Sequence, residues 1–407
     1  MANLIGLNVL GNKFVQDPKP DWAKIDGVGI GESFQFGYNS YQNTSIGNLL
    51  DQLSLDGNVV VVIYEWNTGK AYAKKGFDLT VKNDSKSLPD FSSFVYKKRV
   101  TQNMITGNVV PVIPPQPTPS QKKICSPFID VCNWPPFDML GCSQKTGNKF
   151  FSLAFIIADN AGNPSFGGAY PLNSNWFLDK ITALRNLGGD VIISFGGAAG
   201  SELATVTYDV NSLVSKYQSV IDLYSLKIIS FDIEGSSITD TNSIDRRNKA
   251  LAILQKKNPN LKINYVLPVM PDGLDWNGIN LVKNAKDNGV SLFCVELMTM
   301  DYGQNNKQMG QAAITACKCT RSQLIQNGYP NTKIGIIPMI GKNDTGEVFT
   351  LQNAVEVSNF AKNTDYIYNT SYWSIARDTY QGVDDQGPLY NHSGVQQSDF
   401  QFLKSFL

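Results

Sequence analysis

The strongest constraint on the fold is an alternation of short apolar runs with helix-period segments between residues 124 and 407. The runs end in glycine or polar residues, which is typical of buried strands in a parallel sheet. Eight strands are predicted, at Phe128–Val131, Phe151–Ile157, Val191–Phe195, Ile228–Ile233, Ile263–Val269, Leu292–Met298, Ile334–Met339 and Tyr372–Ile375.

Helical periodicity fills the segments between these strands. Trp176–Leu187 and Ile244–Leu254 have helical spacing of their apolar residues. The segment before the fourth strand places six apolar residues on one helix face: Leu213, Val214, Tyr217, Val220, Ile221 and Tyr224. Strands that alternate with helices imply a parallel sheet, and eight repeats in about 280 residues match a (β/α)8 barrel. The competing architecture, a doubly wound open sheet, more often has a glycine-rich phosphate loop after its first strand, and none is present.

A proline-rich segment divides the chain. The 407 residues are too many for one ordinary core, so two domains are expected. Residues 110–123 contain five prolines, which favour an extended, semi-rigid spacer. We therefore predict a small β-rich domain at 1–107, a linker at 108–123 and an α/β barrel at 124–407.

The first domain contains one clear hairpin pattern. Val59–Trp66 is predicted to be a strand, Asn67–Gly69 a turn and Lys70–Lys74 the return strand. Residues 22–30 and 45–53 are compatible with short strands or a short helix. The hairpin faintly resembles that of PAN/apple modules, which bind proteins or sugars, although this domain has none of the cysteines that pin those modules. A small binding or packing domain is the prediction.

The charge balance argues against electrostatic partners. Lys and Arg together number 35, as do Asp and Glu, so nothing indicates binding to nucleic acid or to an anionic membrane. The longest apolar run, Val59–Tyr64, is far shorter than a membrane span of about 20 residues. The first residues lack a basic segment followed by a continuous apolar stretch, so they do not indicate a secretory signal. A soluble protein is expected, and its location stays open.

Cysteine and histidine usage restricts the possible chemistry. A single histidine, His392, excludes a multi-histidine metal site and argues against a Ser-His-Asp hydrolase. Cys317 and Cys319 lack the C-x2-C spacing of a zinc knuckle. The remaining question is whether one disulfide forms within a group of three closely spaced cysteines or all three are free core thiols: Cys125, Cys132 and Cys142.

The fourth strand carries the residues that most clearly indicate catalysis. Side chains alternate along a strand, so Ser230, Asp232 and Glu234 share one face. In a (β/α)8 barrel the active site lies at the carboxyl ends of the strands, where this face points into the mouth. Two carboxyl groups so close cannot both ionise cheaply, so the pKa of one is expected to be raised, as a general acid requires. The alternative is a structural acid paired with Lys or Arg.

These residues resemble the family 18 chitinases. Their signature D-x-x-D-x-D-x-E is matched at Asp232 and Glu234 but not at Lys227 and Ser230. Further segments resemble the same family in the same order: S-x-G-G at 194–197, MTMDYG at 298–303, GIIPMIGKND followed by EVFTL at 335–351, W-S-x-x-R-D at 373–378, and 393–400. The resemblance covers nearly all of 124–407 and is greatest to the bacterial chitinase D-like branch.

The resemblance implies a substrate-assisted retaining mechanism with no metal or cofactor. Glu234 is implied to protonate the glycosidic oxygen of a β-1,4 N-acetylglucosamine linkage, and Asp232 to hold the acetamide that attacks C1. Met300 stands at the family's tyrosine position, so the hydroxyl that binds the acetamide carbonyl is expected from Tyr302. The implied substrate-binding residues are Ser194, Gly196, Gly197, Ser230, Met298, Asp301 and Trp373. The methionines could equally be barrel filling and Trp373 a core residue.

Departures from the signature leave rival functions open. Ser230 replaces an acid that tunes the protonation of Asp232, so a slower enzyme or a shifted pH optimum is expected, with the serine hydroxyl bonded to Asp232. Lys227 is either structural or a cation that favours the ionised acids. A chitinase-like lectin that binds chitooligosaccharides without cutting them, or a structural protein, are the alternatives. Residues expected to line the cleft or to serve as caps are Trp134, Trp276, Asp130, Asp159 and Glu202.

Overall fold

The computed structural model describes residues 123–380 and 390–407, Leu50, and the backbone of a set of strands before residue 97. Two compact units are present, Met1–Pro119 and Ser120–Leu407. The linker predicted at 108–123 lies outside the described residues except for Lys123, and so does 45–53 except for Leu50. The boundaries of the linker therefore stay a prediction.

The described strands of the first unit form antiparallel sheets. Asn8–Val9 pairs with Asn12–Lys13. The larger sheet has six strands in the order Val15–Gln16, Trp22–Ile30, Ser85–Tyr96, Val61–Glu65, Lys70–Lys74 and Tyr38–Tyr41. The predicted hairpin is confirmed, with Glu65 opposite Lys70, and residues 22–30 form a strand.

The second unit is built on a parallel sheet, with strands numbered here within this unit. They are β1 (Ile124–Cys125), β2 (Phe128–Asp130), β3 (Phe150–Ala158), β4 (Pro164–Phe166), β5 (Tyr170–Pro171), β6 (Asp190–Gly196), β7 (Ile228–Asp232), β8 (Lys262–Pro268), β9 (Leu292–Met298), β10 (Lys333–Ile337), β11 (Gly341–Lys342), β12 (Val348–Phe349) and β13 (Ile367–Thr370). The parallel order is β3, β6, β7, β8, β9, β10, β13 and β1. β4 and β5 add antiparallel strands beside β3, and β11 pairs with β12.

Residues 124–130 join the two ends of this sheet. β1 pairs in parallel with β13, and β2 pairs in parallel with β3. The Phe128 N–H also donates to the Tyr372 carbonyl at 3.1 Å, and the Ser152 N–H to the Pro127 carbonyl at 3.0 Å. The first strand thus lies between the second and the last, which is the connection that a (β/α)8 barrel requires.

Helices follow the strands along the chain. They are α1 (Met139–Thr146), α2 (Leu178–Asn186), α3 (Leu203–Val206), α4 (Val210–Tyr224), α5 (Thr241–Lys257), α6 (Trp276–Asp287), α7 (Met309–Gln326), α8 (Leu351–Lys362) and α9 (Gln401–Phe406), with 3-10 turns at Leu172–Ser174 and Ile375–Arg377. All six apolar residues predicted to share one face of α4 are buried. Within the described residues, no helix combines the length and the apolar composition that crossing a membrane requires.

The position of the eighth strand was predicted wrongly. The strand is Ile367–Thr370, whereas Ile375 already belongs to a 3-10 turn. Trp373 makes only an isolated parallel bridge to Met339 beyond the strand. The strand includes two buried polar residues, Asn369 and Thr370. A search for runs of apolar residues therefore does not detect it. The open question about the cysteines is also answered, because all six are free thiols.

Side chains inside the barrel form three layers. Along a strand, every second side chain points to the same side, so the inward-facing residues of β3, β6 and β7 are two positions apart and lie in successive layers. The lower layer is an apolar cluster of Ile124, Phe150, Ile192, Ile228, Phe293 and Tyr368. The middle layer is polar and buried, and comprises Ser126, Ser152, Ser194, Ser230, Asn264, Glu296 and Asn369. Above it, Phe128, Ala154, Asp232, Val266, Met298 and Ile337 face the mouth.

Candidate active site

A cleft of about 160 Å³ opens above the uppermost layer, at the carboxyl ends of the barrel strands. Its lining residues are Phe128, Phe155, Ala198, Asp232, Glu234, Val266, Met298, Met300, Asp301, Ile337, Met339, Asp344 and Trp373. A larger groove of about 780 Å³ lies where the strands begin, around Lys262, Leu292 and Lys333. The smaller cleft brings Asp232 and Glu234 together with aromatic rings at the carboxyl ends of the strands, where a (β/α)8 barrel holds its active site, so we take it as the candidate site.

Asp232 and Glu234 meet in the cleft as their alternation along β7 predicts. Asp232 is buried, and Glu234, two residues beyond, is half-buried. Burial raises the pKa of Asp232 well above its usual range, and the nearby charges of Glu234 and Glu296 raise it further. The pKa of Glu234 is also raised, first by burial and then by the charge of Asp301. Both groups therefore favour the protonated form more strongly than an exposed carboxyl group does.

Asp301 forms the wall of the cleft beside Glu234. Its backbone has a φ of 58°, a left-handed conformation that Asp tolerates better than most residues. The Asp301 carboxylate accepts hydrogen bonds from the N–H groups of Asp344 at 3.0 Å and Thr345 at 3.4 Å. Burial, and then the charge of Asp344, raise the Asp301 pKa. Among the described residues, no three His, Cys, Asp or Glu side chains are grouped as a metal site.

Aromatic and apolar side chains form the floor. Trp373 stacks on Phe155 with ring centroids 5.7 Å apart and an interplanar angle of 19°. Phe128 contacts both, at 6.1 Å from Trp373 and 6.3 Å from Phe155. Met298 and Met300 pack against the same cluster and line the cleft. An apolar floor beneath walls that carry carboxyl groups suits a sugar ring, whose faces are apolar and whose edges are polar.

The two glycines at 196–197 have a role different from the one expected. Both have positive φ, 95° and 91°. A Cβ on Gly196 would lie 2.2 Å from the Asp232 carbonyl oxygen, and one on Gly197 would lie 2.7 Å from the Phe155 ring. The Gly197 N–H also donates to the Asp232 carbonyl at 3.0 Å. These glycines therefore allow the protein's own backbone and ring to approach closely, and neither lines the cleft.

The predicted serines lie below the cleft rather than in it. Ser194 and Ser230 are opposite each other on β6 and β7, and both are buried in the polar middle layer. Neither hydroxyl has a hydrogen-bond partner among the described residues, so the expected bond from Ser230 to Asp232 is not formed. Lys227 is structural, since its exposed ammonium pairs with Asp190 at 3.0 Å where the strands begin.

Tyr302 does not reach the cleft. Its ring packs against the main hydrophobic core, and its hydroxyl is buried without a described partner. Burial raises the Tyr302 pKa, followed by the charges of Cys317 and Glu347, which are not lining residues. The expectation that Tyr302 faces the same way as Met300 fails because the strand ends at Met298 and Asp301 adopts a positive φ.

The remaining candidates lie outside the cleft. Trp134 and Trp276 are 77% and 71% exposed and do not line it. Asp130 and Asp159 carboxylates accept backbone N–H bonds within their own loops. Glu202 caps α3 through the Ala204 N–H at 2.9 Å and also belongs to a buried ion pair with Arg247 at 2.8 Å. Sequence reasoning missed Phe128, Phe155 and the buried Glu296, because mid-strand residues carry no local signal.

Comparison with known proteins finds chitinases among the relatives of this chain. No protein-family model matches the chain. It is 33% identical over 309 residues to a probable bifunctional chitinase/lysozyme of Escherichia coli K12, covering 70% of this chain and 34% of that one. It is 35% identical over 279 residues to endochitinase 11 of Metarhizium anisopliae, covering 63% and 53%. The chain thus spans a third to about half the length of these relatives.

A solved structure is similar over most of its own length. Catalytic-site mutants of active domain 2 of the thermostable chitinase from Pyrococcus furiosus, in complex with chito-oligosaccharides, superpose with a TM-score of 0.64 at 31% identity. The alignment covers 71% of this chain and 94% of that one. The similarity at this coverage confirms the α/β fold class.

Proposed function

Because this chain belongs to the family 18 chitinases, we propose that it hydrolyses β-1,4 linkages between N-acetylglucosamine units of chitin or chitooligosaccharides. The observation that carries the proposal is the pair of carboxyl groups, Asp232 and Glu234, at the mouth of the barrel beside an aromatic floor. A chitin-like chain has two features that this cleft can bind. Its apolar ring faces can stack on Trp373, and its glycosidic oxygen can take a proton from Glu234.

Glu234 acts as the general acid in this proposal. Burial and the charge of Asp301 raise its pKa, which favours the protonated form that a general acid needs, and its carboxyl group lines the cleft. The proton moves from Glu234 to the bridging oxygen as the C1–O bond breaks. The same residue, then ionised, removes a proton from the water that completes hydrolysis.

The acetamido group of the substrate serves as the nucleophile. Its carbonyl oxygen forms a bond to C1 while the leaving group departs, and water later breaks that bond with net retention. Asp232 accepts a hydrogen bond from the acetamide N–H and stabilises the positive charge of the cyclic intermediate. Burial disfavours the ionised form of Asp232 in the free protein, but once the positive charge forms beside it, the exclusion of water strengthens their attraction.

The proposal is tested by release of nitrophenol from a nitrophenyl chitobioside. Glu234→Gln keeps the size of the side chain and removes its proton, so we expect kcat to fall roughly 10²- to 10⁴-fold. Glu356→Gln is the matched control, because Glu356 lies on α8 and does not line the cleft. It makes the same chemical change and is expected to leave kcat unchanged.

The other outcomes identify the rival functions. Absence of turnover by the unsubstituted protein, together with saturable binding of chitooligosaccharides in calorimetry, would select a lectin. Absence of both would select a structural protein. Equal turnover by Glu234→Gln and the unsubstituted protein would show that another group supplies the proton.

A further inference from the structure

The lining of the cleft carries acidic side chains and no basic one. Four lining residues are acids, namely Asp232, Glu234, Asp301 and Asp344, and none of the described lining residues is Lys, Arg or His. A fully acetylated chitin chain is uncharged and gives these acids no opposite charge to meet. The proposed reaction uses Asp232 and Glu234, so Asp301 and Asp344 have no role in its bond-breaking steps.

Backbone hydrogen bonds fix Asp344 at the wall of the cleft. Its N–H donates to Asp301 Oδ1 at 3.0 Å, and the Asp301 N–H donates to Asn343 Oδ1 at 3.2 Å. Asn343 is fully buried, and its Nδ2 donates to the carbonyl oxygens of Met339 at 2.8 Å and Gly341 at 3.1 Å. The segment is thus held in place before a ligand binds, so a ligand that pairs with Asp344 does not have to order it.

The carboxyl group of Asp344 has no partner of its own. Its side chain is exposed, and among the described residues it forms no hydrogen bond or ion pair. Burial lowers the pKa of Arg377 to about 10, although the charges of Asp344 and Asp301 act in the other direction. Arg377 is 2% exposed, and its Nη2 donates to the carbonyl oxygens of Ile340 at 2.9 Å and Lys342 at 2.6 Å. This cation therefore influences the acids without lining the cleft.

One buried oxygen of the cleft also lacks a partner. Asp232 is 5% exposed, and its Oδ1 forms no hydrogen bond within the described part of the chain. A buried polar atom without a partner costs free energy, which a ligand with hydrogen-bond donors can recover. Where the structure is described, no three acids, cysteines or histidines are grouped as a metal site, so the cleft favours an organic cation over a metal ion.

We propose that the cleft accepts partially deacetylated chitin, with the ammonium group of a glucosamine unit paired with Asp344. This inference rests on the proposed hydrolase function. Deacetylation converts the acetamido group of one unit to a primary amine, which is protonated in mildly acidic solution. The unit that is attacked at C1 has to keep its acetamido group, because that group is the nucleophile. An adjoining unit therefore carries the ammonium group.

Asp301 separates this ammonium group from the general acid. The pKa of Glu234 is raised by burial and then by the charge of Asp301, and Asp344 is not among the charges that affect it. A cation directly beside Glu234 would favour its ionised form and oppose proton donation. A cation at Asp344 has a smaller effect on Glu234, so we expect the ammonium group to act mainly on KM.

Competition between substrates tests the proposal. Each positional isomer of chitotetraose that carries one glucosamine unit is mixed with fully acetylated chitotetraose at mildly acidic pH, and mass spectrometry follows the loss of both. The ratio of the two rates gives the ratio of kcat/KM. We expect one isomer with its glucosamine next to the attacked unit to be consumed about two- to fivefold faster, as one exposed ion pair allows. If no isomer is consumed faster, the proposal is wrong.

Substitution of Asp344 assigns the preference to its charge. Asp344→Asn keeps the size of the side chain, and we expect the ratio for the favoured isomer to fall close to one. High salt is expected to lower the ratio in the unsubstituted protein, because salt screens exposed charges. Both substrates compete in one solution, so a general loss of activity does not change the ratio. An unchanged ratio in Asp344→Asn contradicts the assignment.

Asp365→Asn is the matched control. Asp365 is exposed and precedes β13, at the end of the barrel where the strands begin, and it does not line the cleft. The substitution removes the same charge from the protein, so we expect the ratio to be unchanged. A ratio that falls equally in both variants would show that net charge, and not Asp344, determines the preference.

Binding to Glu234→Gln distinguishes failure of this inference from failure of the proposed function. Calorimetry measures the affinity of the same oligosaccharides without turnover. We expect the favoured isomer to bind about two- to fivefold more tightly than the fully acetylated tetramer, and Asp344→Asn in this background to remove the difference. If the unsubstituted protein hydrolyses neither substrate, the proposed function fails, and this difference in affinity still decides whether Asp344 binds an ammonium group. Equal affinities overturn the inference even for an active chitinase.

Discussion

The buried Glu296 on β9 makes the stability of the fold depend on pH. Its pKa is 4.5 in the unfolded reference and about 7 in the folded protein, where it is fully buried. A folded state that holds a proton more tightly loses stability as pH rises from the lower value to the higher one. The difference between these two pKa values corresponds to about 3 kcal/mol. Glu296→Gln has no such proton.

Urea unfolding of both proteins at pH 4.5 and about pH 7.5 measures this effect. We expect the free energy of unfolding of Glu296→Gln, relative to the unsubstituted protein, to rise by about 3 kcal/mol between these pH values. Other acids titrate in both proteins, so the difference isolates Glu296. Parallel pH dependences would show that Glu296 does not retain its proton in the fold.

Local alternation predicts part of the site, and tertiary contacts decide the rest. Asp232 and Glu234 are predictable because they lie two residues apart on one strand, so their meeting needs no knowledge of other strands. Glu296 is about sixty positions away and meets Asp232 only through the pairing of β7, β8 and β9. Tyr302 was expected in the cleft because alternation was continued past the end of its strand, where the backbone turns at Asp301.

At the scale of elements, a buried ion pair fixes α3 against α5. Arg247 Nη2 is 2.8 Å from Glu202 Oε2, and both side chains are almost fully buried. Glu202 also accepts from the Tyr217 hydroxyl at 2.5 Å and caps α3. Its Cγ lies 3.5 Å from the position of a Cβ on Gly196, close to the backbone that supports Asp232. The pair therefore supports the loop between β6 and α4 next to the cleft.

Removing one partner of this pair is expected to be costly. Glu202→Ala leaves the Arg247 cation buried without its partner, so we expect the free energy of unfolding to fall by about 3–5 kcal/mol. The control is Lys249→Met on the same helix, where the Lys249–Asp245 pair is 53% and 39% exposed, and the expected loss is below about 1 kcal/mol. Urea unfolding measures both. Equal losses would mean that burial does not strengthen the pair.

Elements with strong periodicity were predictable, and short polar ones were not. The apolar face of α4 was identified residue by residue, because six buried positions repeat with helical spacing. The eighth strand was placed about five residues too late, because Asn369 and Thr370 interrupt the apolar pattern of Ile367–Thr370. Asn369 is polar because it donates to Glu296 and to Ser126 inside the barrel. The hydrogen bonds of Asn369 inside the barrel therefore require a polar residue at a position where strand prediction depends on an apolar one.

At the scale of the whole molecule, every residue of the candidate site belongs to one compact unit. The lining residues extend from Phe128 to Trp373, and within the part of the chain that the structure describes, the strands that carry them pair inside Ser120–Leu407. The aligned part of the Pyrococcus furiosus chitinase structure covers 71% of this chain, a similar share. A unit with its own core and a complete site is expected to fold and act alone.

A chain of residues 120–407 tests this expectation. We expect it to unfold cooperatively in urea and to hydrolyse a soluble chitobioside with kcat/KM within about twofold of the full chain, since every residue proposed to contact the substrate is retained. Insoluble chitin provides a second comparison, because the first unit is predicted to be either a binding or a packing domain, and only a binding domain would increase adsorption to the polymer. Equal depletion of both chains from solution by the polymer would contradict that role, whereas loss of turnover on the soluble substrate would show that the barrel depends on the first unit.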